Sequence, residues 1–220
     1  MIEQFQTIMH KGGAVMWPLL ALSIVSVTLS FERAVYWFRQ NGPMGKRGFV
    51  AMMTAFRTGD RARVLALADT SDTVYARVAG ALLRDGATDA VAVGAVETER
   101  LRMDRFMATL STIITAAPML GILGTVTGII TSFDLLSGGE AMVDPRAVSG
   151  GISEALVATA SGLVVALLAL FPYMAYGAMR ENTLGRLETL IALAQLTAKP
   201  SPTMTAPPPP PSPLVLEGHG

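Results

Sequence analysis

Three long apolar stretches without a charged residue limit what this chain can fold into. They are Gly12–Phe31 with 20 residues, Phe106–Phe133 with 28 and Ala155–Met179 with 25. The hydrocarbon core of a bilayer is about 30 Å thick, and a helix needs about 20 apolar residues to cross it. Each stretch is therefore long enough to span a membrane. The sequence predicts an all-α integral membrane protein with three transmembrane helices.

The first stretch follows Lys11 and is either an uncleaved transmembrane helix or a secretory signal peptide. A signal peptide has an apolar core of about 7–15 residues, followed by a cleavage site with small residues. This stretch is longer, and no such site follows in Glu32–Phe38. We therefore expect an uncleaved first span.

Composition excludes several classes of function. The chain has 17 Lys and Arg against 17 Asp and Glu, so no excess of positive charge favours binding to nucleic acid. It has no cysteine, and its two histidines, His10 and His219, are far apart in sequence. Thiolate chemistry, clustered metal ligands and Ser/His/Asp catalysis are therefore not expected. We predict neither an enzyme nor a cofactor.

Positive charge is concentrated between the first two stretches. Residues 32–105 hold 12 of the 17 Lys and Arg, whereas Arg146 alone lies in residues 134–154. Cytoplasmic loops of membrane proteins are enriched in Lys and Arg, so we expect the first segment inside the cell and the second outside. The predicted order is a periplasmic N-terminus (1–11), first span (12–38), cytoplasmic helical region (39–105), second span (106–133), periplasmic loop (134–151), third span (152–179), cytoplasmic helix (180–199) and disordered proline-rich tail (200–220).

The cytoplasmic region is predicted to form a small domain of short helices. Asp60 is placed to cap one helix, Asp72 the next, and Asp144 a later helix that starts at Pro145. From Asp89 the helical pattern continues without proline into the second span, which predicts one long helix extended into the cytoplasm. Its charged part, residues 97–105, is either a solvated face or an ion-paired rim between neighbouring subunits.

The second and third spans carry small and polar residues at helical spacing, which predicts one polar stripe on each helix. In lipid, small residues let helices approach closely, and polar groups commonly line ion paths. We therefore expect these stripes to face protein or a cavity. The predicted proton-path or pore-lining residues are Thr115, Thr125, Ser132, Glu154, Thr159 and Ser161, and the predicted helix-packing residues are Gly121, Gly124, Gly128, Gly162 and Pro118.

Each of these features also has a purely structural interpretation. A Ser or Thr inside a span often bonds the carbonyl four residues earlier, and glycines can serve packing alone. Glu154 can simply mark the water boundary. No Asp, Glu, Lys, Arg or His lies within the three apolar stretches, so a partner must supply the titrating group if protons cross here.

Two segments carry a resemblance to a known family. They are AAPMLGILGTVTGIITSF at Ala116–Phe133 and GISEALVATASGLVVA at Gly151–Ala166. Both resemble the MotA/TolQ/ExbB proton-channel family, most closely its ExbB/TolQ branch. Within this resemblance, Thr125 and Thr159 match the family's pore-facing threonines, and Glu154 matches its characteristic third-span glutamate.

The resemblance implies a homo-oligomeric ring in the bacterial inner membrane, pentameric in the family. The ring would enclose the single spans of an ExbD/TolR-like partner that carries a membrane Asp. It also implies use of the proton motive force for TonB-dependent import or the Tol-Pal system, through a TonB/TolA-like protein. A membrane scaffold that conducts no protons is the alternative, and an intramembrane enzyme is a third.

Overall fold

The computed structural model describes residues 12–137 and 145–198, which form seven helices and no strand. Three segments, Met16–Arg57, Asp89–Ser137 and Val148–Ala198, contain helices long and apolar enough to cross a membrane. The predicted all-α class with three spans is therefore confirmed. The predictions for residues 1–11, for Asp144 and for the tail lie outside the described residues. The helices are α1 (Met16–Asn41), α2 (Pro43–Arg57), α3 (Arg61–Thr70), α4 (Val74–Arg84), α5 (Asp89–Met103), α6 (Met107–Ser137) and α7 (Pro145–Ala198).

Helices α6 and α7 form a closely packed hairpin in the apolar region. Gly121 of α6 and Gly162 of α7 are buried at the seam between them. A Cβ on Gly121 would lie 3.0 Å from the Cα of Thr159, and one on Gly162 would lie 2.5 Å from the carbonyl oxygen of Ala117. The seam therefore has no room for side chains at these positions, and the glycines set the helix separation.

Helix α1 packs along one side of this hairpin. Its buried Met16 and Leu19 contact a cluster that includes Ile113 of α6 and Val165 of α7. Further along, the Tyr176 hydroxyl donates a hydrogen bond to the carbonyl oxygen of Ser30 at 2.6 Å. The three spans thus form one bundle. Helix α1 covers one side of the α6–α7 hairpin, and none of its described residues covers the opposite side.

Helix α7 continues beyond the apolar region and joins the small helical domain. The predicted third span and the following helix are parts of one helix of 54 residues, which begins at Pro145 within the predicted loop 134–151. The last third of α7 supplies apolar side chains to a core built with α2 to α5, which ties the domain to the membrane part. The core includes Met52, Phe56, Val64, Val74, Tyr75, Val78, Leu82, Leu187 and Leu190.

The two predicted caps in this domain have different outcomes. Asp60 caps α3 as predicted, because its carboxylate accepts a hydrogen bond from the Arg63 N–H at 2.9 Å. Asp72 does not cap α4, which is capped by Thr73 instead. The carboxylate of Asp72 binds the guanidinium of Arg77 at 2.5 Å, so it is already engaged.

The prediction of one unbroken helix from Asp89 into the second span is wrong. The chain turns between α5 and α6, where Phe106 has a φ of +66°, a left-handed conformation that is uncommon for non-glycine residues. Arg33 of α1 stabilises this turn, because its guanidinium donates to the carbonyl oxygen of Arg102 at 3.0 Å and lies over the Phe106 ring. Arg33 is 69 residues away from Arg102 in sequence, which is why local periodicity misses the turn.

Neither interpretation of the charged residues 97–105 describes what the structure shows for Glu99 and Asp104. Glu99 is 3% exposed and accepts hydrogen bonds from Arg77 at 2.6 and 2.7 Å and from Arg102 at 3.0 Å. Asp104 accepts one from Arg180 of α7 at 2.7 Å. These acidic groups join helices within one chain, and the bond to Glu99 raises the pKa of Arg77 above its ordinary value.

Candidate functional site

The predicted polar stripe of α6 is divided between two neighbouring faces. Gly121, Gly124, Gly128 and Ser132 are buried at the seam with α7, whereas Thr125 and Pro118 are half-buried and Thr115 is exposed. At 100° per residue, Thr125 lies about 40° and Thr115 about 120° around the helix from Gly121. The expectation of a single stripe is corrected accordingly: a seam of small residues runs beside a stripe of hydroxyls.

The hydroxyls of α6 mostly bond within their own helix. Thr125 Oγ1 donates to the carbonyl oxygen of Ile122 at 2.6 Å, and Thr115 Oγ1 donates to that of Thr112 at 2.9 Å. Ser132 Oγ donates to the carbonyl of Gly128 at 2.9 Å, and it also lies 3.3 Å from the carbonyl oxygen of Val148. A carbonyl oxygen can only accept, so the hydroxyl oxygens present their lone pairs to the surroundings. They can accept a hydrogen bond from water or from a neutral carboxylic acid.

Thr159 makes a polar link between α6 and α7. Its Oγ1 donates to the carbonyl oxygen of Gly121 at 2.8 Å. The absence of a side chain on Gly121 permits this approach, since a Cβ there would crowd the backbone of Thr159. This hydroxyl also keeps its lone pairs for a further donor.

Thr125 and Thr159 lie on the side of the hairpin opposite α1. Val15, the residue that precedes α1, lies beside Gly124 of α6, where an added Cβ would lie 3.6 Å from the Cβ of Val15. At 100° per residue, Gly124 and Thr125 flank the buried face of α6 on opposite sides, about 100° apart. Helix α7 runs antiparallel to α6. Angular positions around its axis, counted in the same way, place Thr159 on the same side of the seam as Thr125. The structure thus brings these two predicted residues to one open side.

Glu154 and Ser161 lie on the other side of the seam. The Glu154 carboxylate packs against Gly13, where an added Cβ would collide with its Oε1. Gly13 has a φ of +68° and precedes the first turn of α1, an end of the helix where a negative charge is favoured. Glu154 and Thr159 are five residues apart, which is about 140° around α7, and Ser161 is about 160° from Thr159. The structure therefore does not bring Glu154 or Ser161 together with the two threonines.

Two residues that position the site were not identified from the sequence. Gly13 holds the start of α1 against Glu154, and the Gly12–Gly13 pair before an apolar stretch is a turn signal that would have pointed to it. Arg33 holds the turn before α6, and no local pattern marks it as buried. Within residues 12–137 and 145–198, no group of three or more His, Asp or Glu residues is placed to hold a metal ion.

Comparisons with known proteins show which family the chain belongs to. The model of the MotA/TolQ/ExbB proton channel family matches residues 72–189, which include α4 to α6 and most of α7. A protein of Synechocystis sp. named as an ExbB-like biopolymer transport protein, ExbB-like 3, is 36% identical over 169 residues, covering 72% of this chain and 78% of that protein.

Two further relatives extend this result. The Tol-Pal system protein TolQ of Pseudomonas aeruginosa is 35% identical over 95 residues, which are 43% of this chain and 41% of TolQ. The biopolymer transport protein exbB1 of Vibrio cholerae is 25% identical over 195 residues, with 85% of each chain covered. These relatives are components of channel and transport complexes rather than enzymes. The chain belongs to the MotA/TolQ/ExbB proton channel family, in its ExbB/TolQ branch.

Proposed function

We propose that this chain is the ring-forming stator subunit of a motor in the bacterial inner membrane, driven by the proton motive force. Its family and its relatives' names support an energy-transducing role in transport. In this proposal five copies surround the single spans of an ExbD/TolR-like partner. The partner's membrane Asp supplies the titrating group that the three apolar stretches lack. A TonB/TolA-like protein carries the energy to TonB-dependent import or to the Tol-Pal system.

The observation that carries the proposal is the open side of the α6–α7 hairpin. Thr125 and Thr159 both lie there, opposite α1, and neither is fully buried by the described chain. Both hydroxyls keep lone pairs on this side that a group of a partner helix can use. In a ring with α1 outward, this side faces the central axis and the partner helix.

The hydrogen bonds of the two threonines leave lone pairs that a neutral partner Asp can use. Both hydroxyl hydrogens are donated to carbonyls, of Ile122 and of Gly121. A neutral carboxylic acid can donate to the remaining lone pairs, whereas a carboxylate has no hydrogen to donate. In this proposal the threonines bind the protonated Asp in the present arrangement, and they bind the ionised Asp only when their hydroxyls rotate away from the two carbonyls. Each proton moving down the membrane potential supplies about 2.3 kcal/mol per 100 mV.

The proposal includes an orientation. The N-terminus is periplasmic, the small helical domain of α2 to α5 is cytoplasmic, and the C-terminus is cytoplasmic. The concentration of Lys and Arg in residues 32–105 supports this arrangement.

Purification of the complex from its own host tests the proposal. Native mass spectrometry is expected to give five copies of this chain with a co-purifying single-span protein that has an Asp at membrane depth. The alternative is a membrane scaffold that conducts no protons, which the tight glycine seam alone would serve. A ring that carries no such partner, and whose biological output is unaffected by an uncoupler, would establish the scaffold instead.

A further inference from the structure

A cleft lined by arginines opens where α1 leaves the apolar region. Its walls are the C-terminal half of α1, the connection between α3 and α4, and the turn between α5 and α6. Arg39 of α1 and Arg105 of the turn between α5 and α6 both line this cleft, and so do Phe31 and Phe38 of α1. Because α1 is a membrane span, one end of the cleft opens toward the lipid.

Most of the charge in the cleft is already balanced. Arg33 pairs with Glu32 at 2.5 Å, and Arg77 and Arg102 both pair with Glu99. Arg39 and Arg105 are exposed, and neither forms an ion pair with a carboxylate in the part of the chain that the structure describes. Arg105 also lies near the carboxylate of Glu32, but that carboxylate is already bonded to Arg33. The cleft therefore offers a ligand from outside this region two guanidinium groups that form no salt bridge of their own within it.

Arg105 is held in place by an aromatic ring. Its guanidinium carbon lies 4.6 Å from the centroid of the Phe106 ring, and Arg33 lies over the same ring at 5.6 Å. Stacking on a ring restricts a guanidinium while leaving its N–H donors available. Planar guanidinium groups with several donors suit the oxygens of a phosphate.

The α1 edge of the cleft is apolar and exposed. Phe31, Val35 and Phe38 are 72%, 45% and 74% exposed and lie within about 60° of one another around the helix. This stripe continues the lipid-facing surface of the first span and ends at Arg39. Large aromatic side chains beside unpaired arginines match an acyl chain joined to a phosphate headgroup.

We propose that this cleft binds an anionic phospholipid, with its phosphate between Arg39 and Arg105 and an acyl chain along Phe31, Val35 and Phe38. The inference goes beyond the proposed motor and shares with it only the membrane position of α1. Free inorganic phosphate carries the same headgroup chemistry but makes no use of the apolar stripe. Loss of the phenylalanines is therefore expected to weaken binding of a phospholipid but not binding of free phosphate.

Native mass spectrometry of the full chain, released from vesicles of phosphatidylglycerol and phosphatidylcholine, tests this site. We expect preferential retention of phosphatidylglycerol in the wild type. The double variant Arg39→Gln, Arg105→Gln is expected to lose retention by about fivefold for each arginine. The matched control Arg57→Gln, Arg63→Gln removes the same charge from exposed positions outside the cleft, and its retention is expected to stay unchanged.

A second arm separates lipid from free phosphate. Phe31→Ala combined with Phe38→Ala is expected to weaken retention of phosphatidylglycerol, and millimolar inorganic phosphate is expected not to displace the lipid from the wild type. Equal retention of the two lipids, unchanged retention in the arginine double variant, or displacement by phosphate with no effect of the phenylalanines would overturn the lipid site. The same spectra give the number of subunits, so failure of the lipid site is distinguished from failure of the ring.

Discussion

The hydroxyl of Thr159 donates a hydrogen bond across the helix seam to the carbonyl oxygen of Gly121 at 2.8 Å. The two residues are 38 positions apart in sequence, and their contact fixes α7 against α6. On the same side of the seam, Thr125 keeps its hydrogen bond within α6. Packing of the hairpin and chemistry on its open side can therefore be separated by mutation.

Replacement of Thr159 by valine removes the hydroxyl while nearly preserving the shape of the side chain. We expect Thr159→Val to lower the stability of the hairpin by about 0.6 kcal/mol and by no more than about 1.7 kcal/mol, the average and the largest value for hydrogen bonds between membrane helices. The ring is expected to assemble, because the glycines of the seam are intact. Thermal unfolding in detergent measures the loss, and Thr159→Ser, which keeps a hydroxyl, is expected to recover most of it. Identical unfolding of the valine and serine variants would contradict the role of this bond.

Two glycines of α7 provide a matched test of the seam. A Cβ on Gly162 would lie 2.5 Å from the carbonyl oxygen of Ala117, whereas a Cβ on Gly177 would meet nothing within 4 Å. We expect Gly162→Ala to destabilise the protein by about 1–3 kcal/mol through overpacking. Gly177→Ala is expected to be neutral or to stabilise by up to about 1 kcal/mol, since Ala favours the helix. Denaturation of both variants in one detergent checks this, and equal effects would rule out the close seam.

The buried carboxylate of Glu99 is expected to matter more than its exposed neighbour Glu97. Glu99→Gln leaves Arg77 and Arg102 without the negative charge they share. We expect a loss of about 1–3 kcal/mol, which is smaller than for a fully buried ion pair because both arginines are partly exposed. Glu97 is more than half exposed and lies 3.9 Å from Arg100, so Glu97→Gln is expected to change stability by less than about 0.5 kcal/mol. Chemical unfolding of both variants measures the contrast, and similar losses would count against the buried network.

The pH dependence of the stability difference between the wild type and Glu99→Gln follows from Arg77. Its hydrogen bond to Glu99 raises the pKa of the guanidinium above its ordinary value. A raised folded-state pKa gives stability that is complete below the unfolded-state pKa and is lost only as the pH rises through the folded-state pKa. Both values lie far above neutrality, so the difference between wild type and Glu99→Gln is expected to be the same at about pH 7 and pH 9. Unfolding curves at the two pH values check this, and a difference that shrinks at the higher pH would contradict it.

Orientation can be measured with single thiols because the chain has no cysteine. Arg57 of α2 and Ser149 of α7 are both exposed and lie on opposite proposed sides of the membrane. A membrane-impermeant maleimide applied to spheroplasts is expected to label the Ser149→Cys variant, and to label the Arg57→Cys variant only after lysis. The reverse pattern would invert the proposed topology.

Much of the fold follows from local chemistry in the sequence. The charge-free stretches predict the spans because lipid excludes unpaired charge, and Asp60 predicts a cap because its carboxylate reaches the next free N–H groups. Local sequence does not predict the turn at Phe106, because the turn depends on Arg33, which reaches it only when α1 has packed. Asp72 was assigned to the wrong role because Thr73 stands beside it and Arg77 draws its carboxylate away.

The candidate site was predicted only in part for a similar reason. Helical spacing places Thr125 near the small residues of α6, but it cannot distinguish the seam with α7 from the open side. That distinction depends on where α1 packs. The same packing takes Glu154 to Gly13 and away from Thr159, which no pattern within α7 indicates.

The most direct test of the proposed motor is proton uptake by proteoliposomes that contain the complex purified from its host, under an imposed membrane potential. Thr125→Val and Thr159→Val remove hydroxyls from the open side, whereas Thr127→Val removes one that bonds Leu123 on another face of α6, about 160° from Thr125. We predict that each of the first two variants lowers proton uptake by roughly tenfold, the effect of one lost hydrogen bond, while Thr127→Val retains it. Equal uptake by all three variants and the wild type would contradict a proton path along the two threonines.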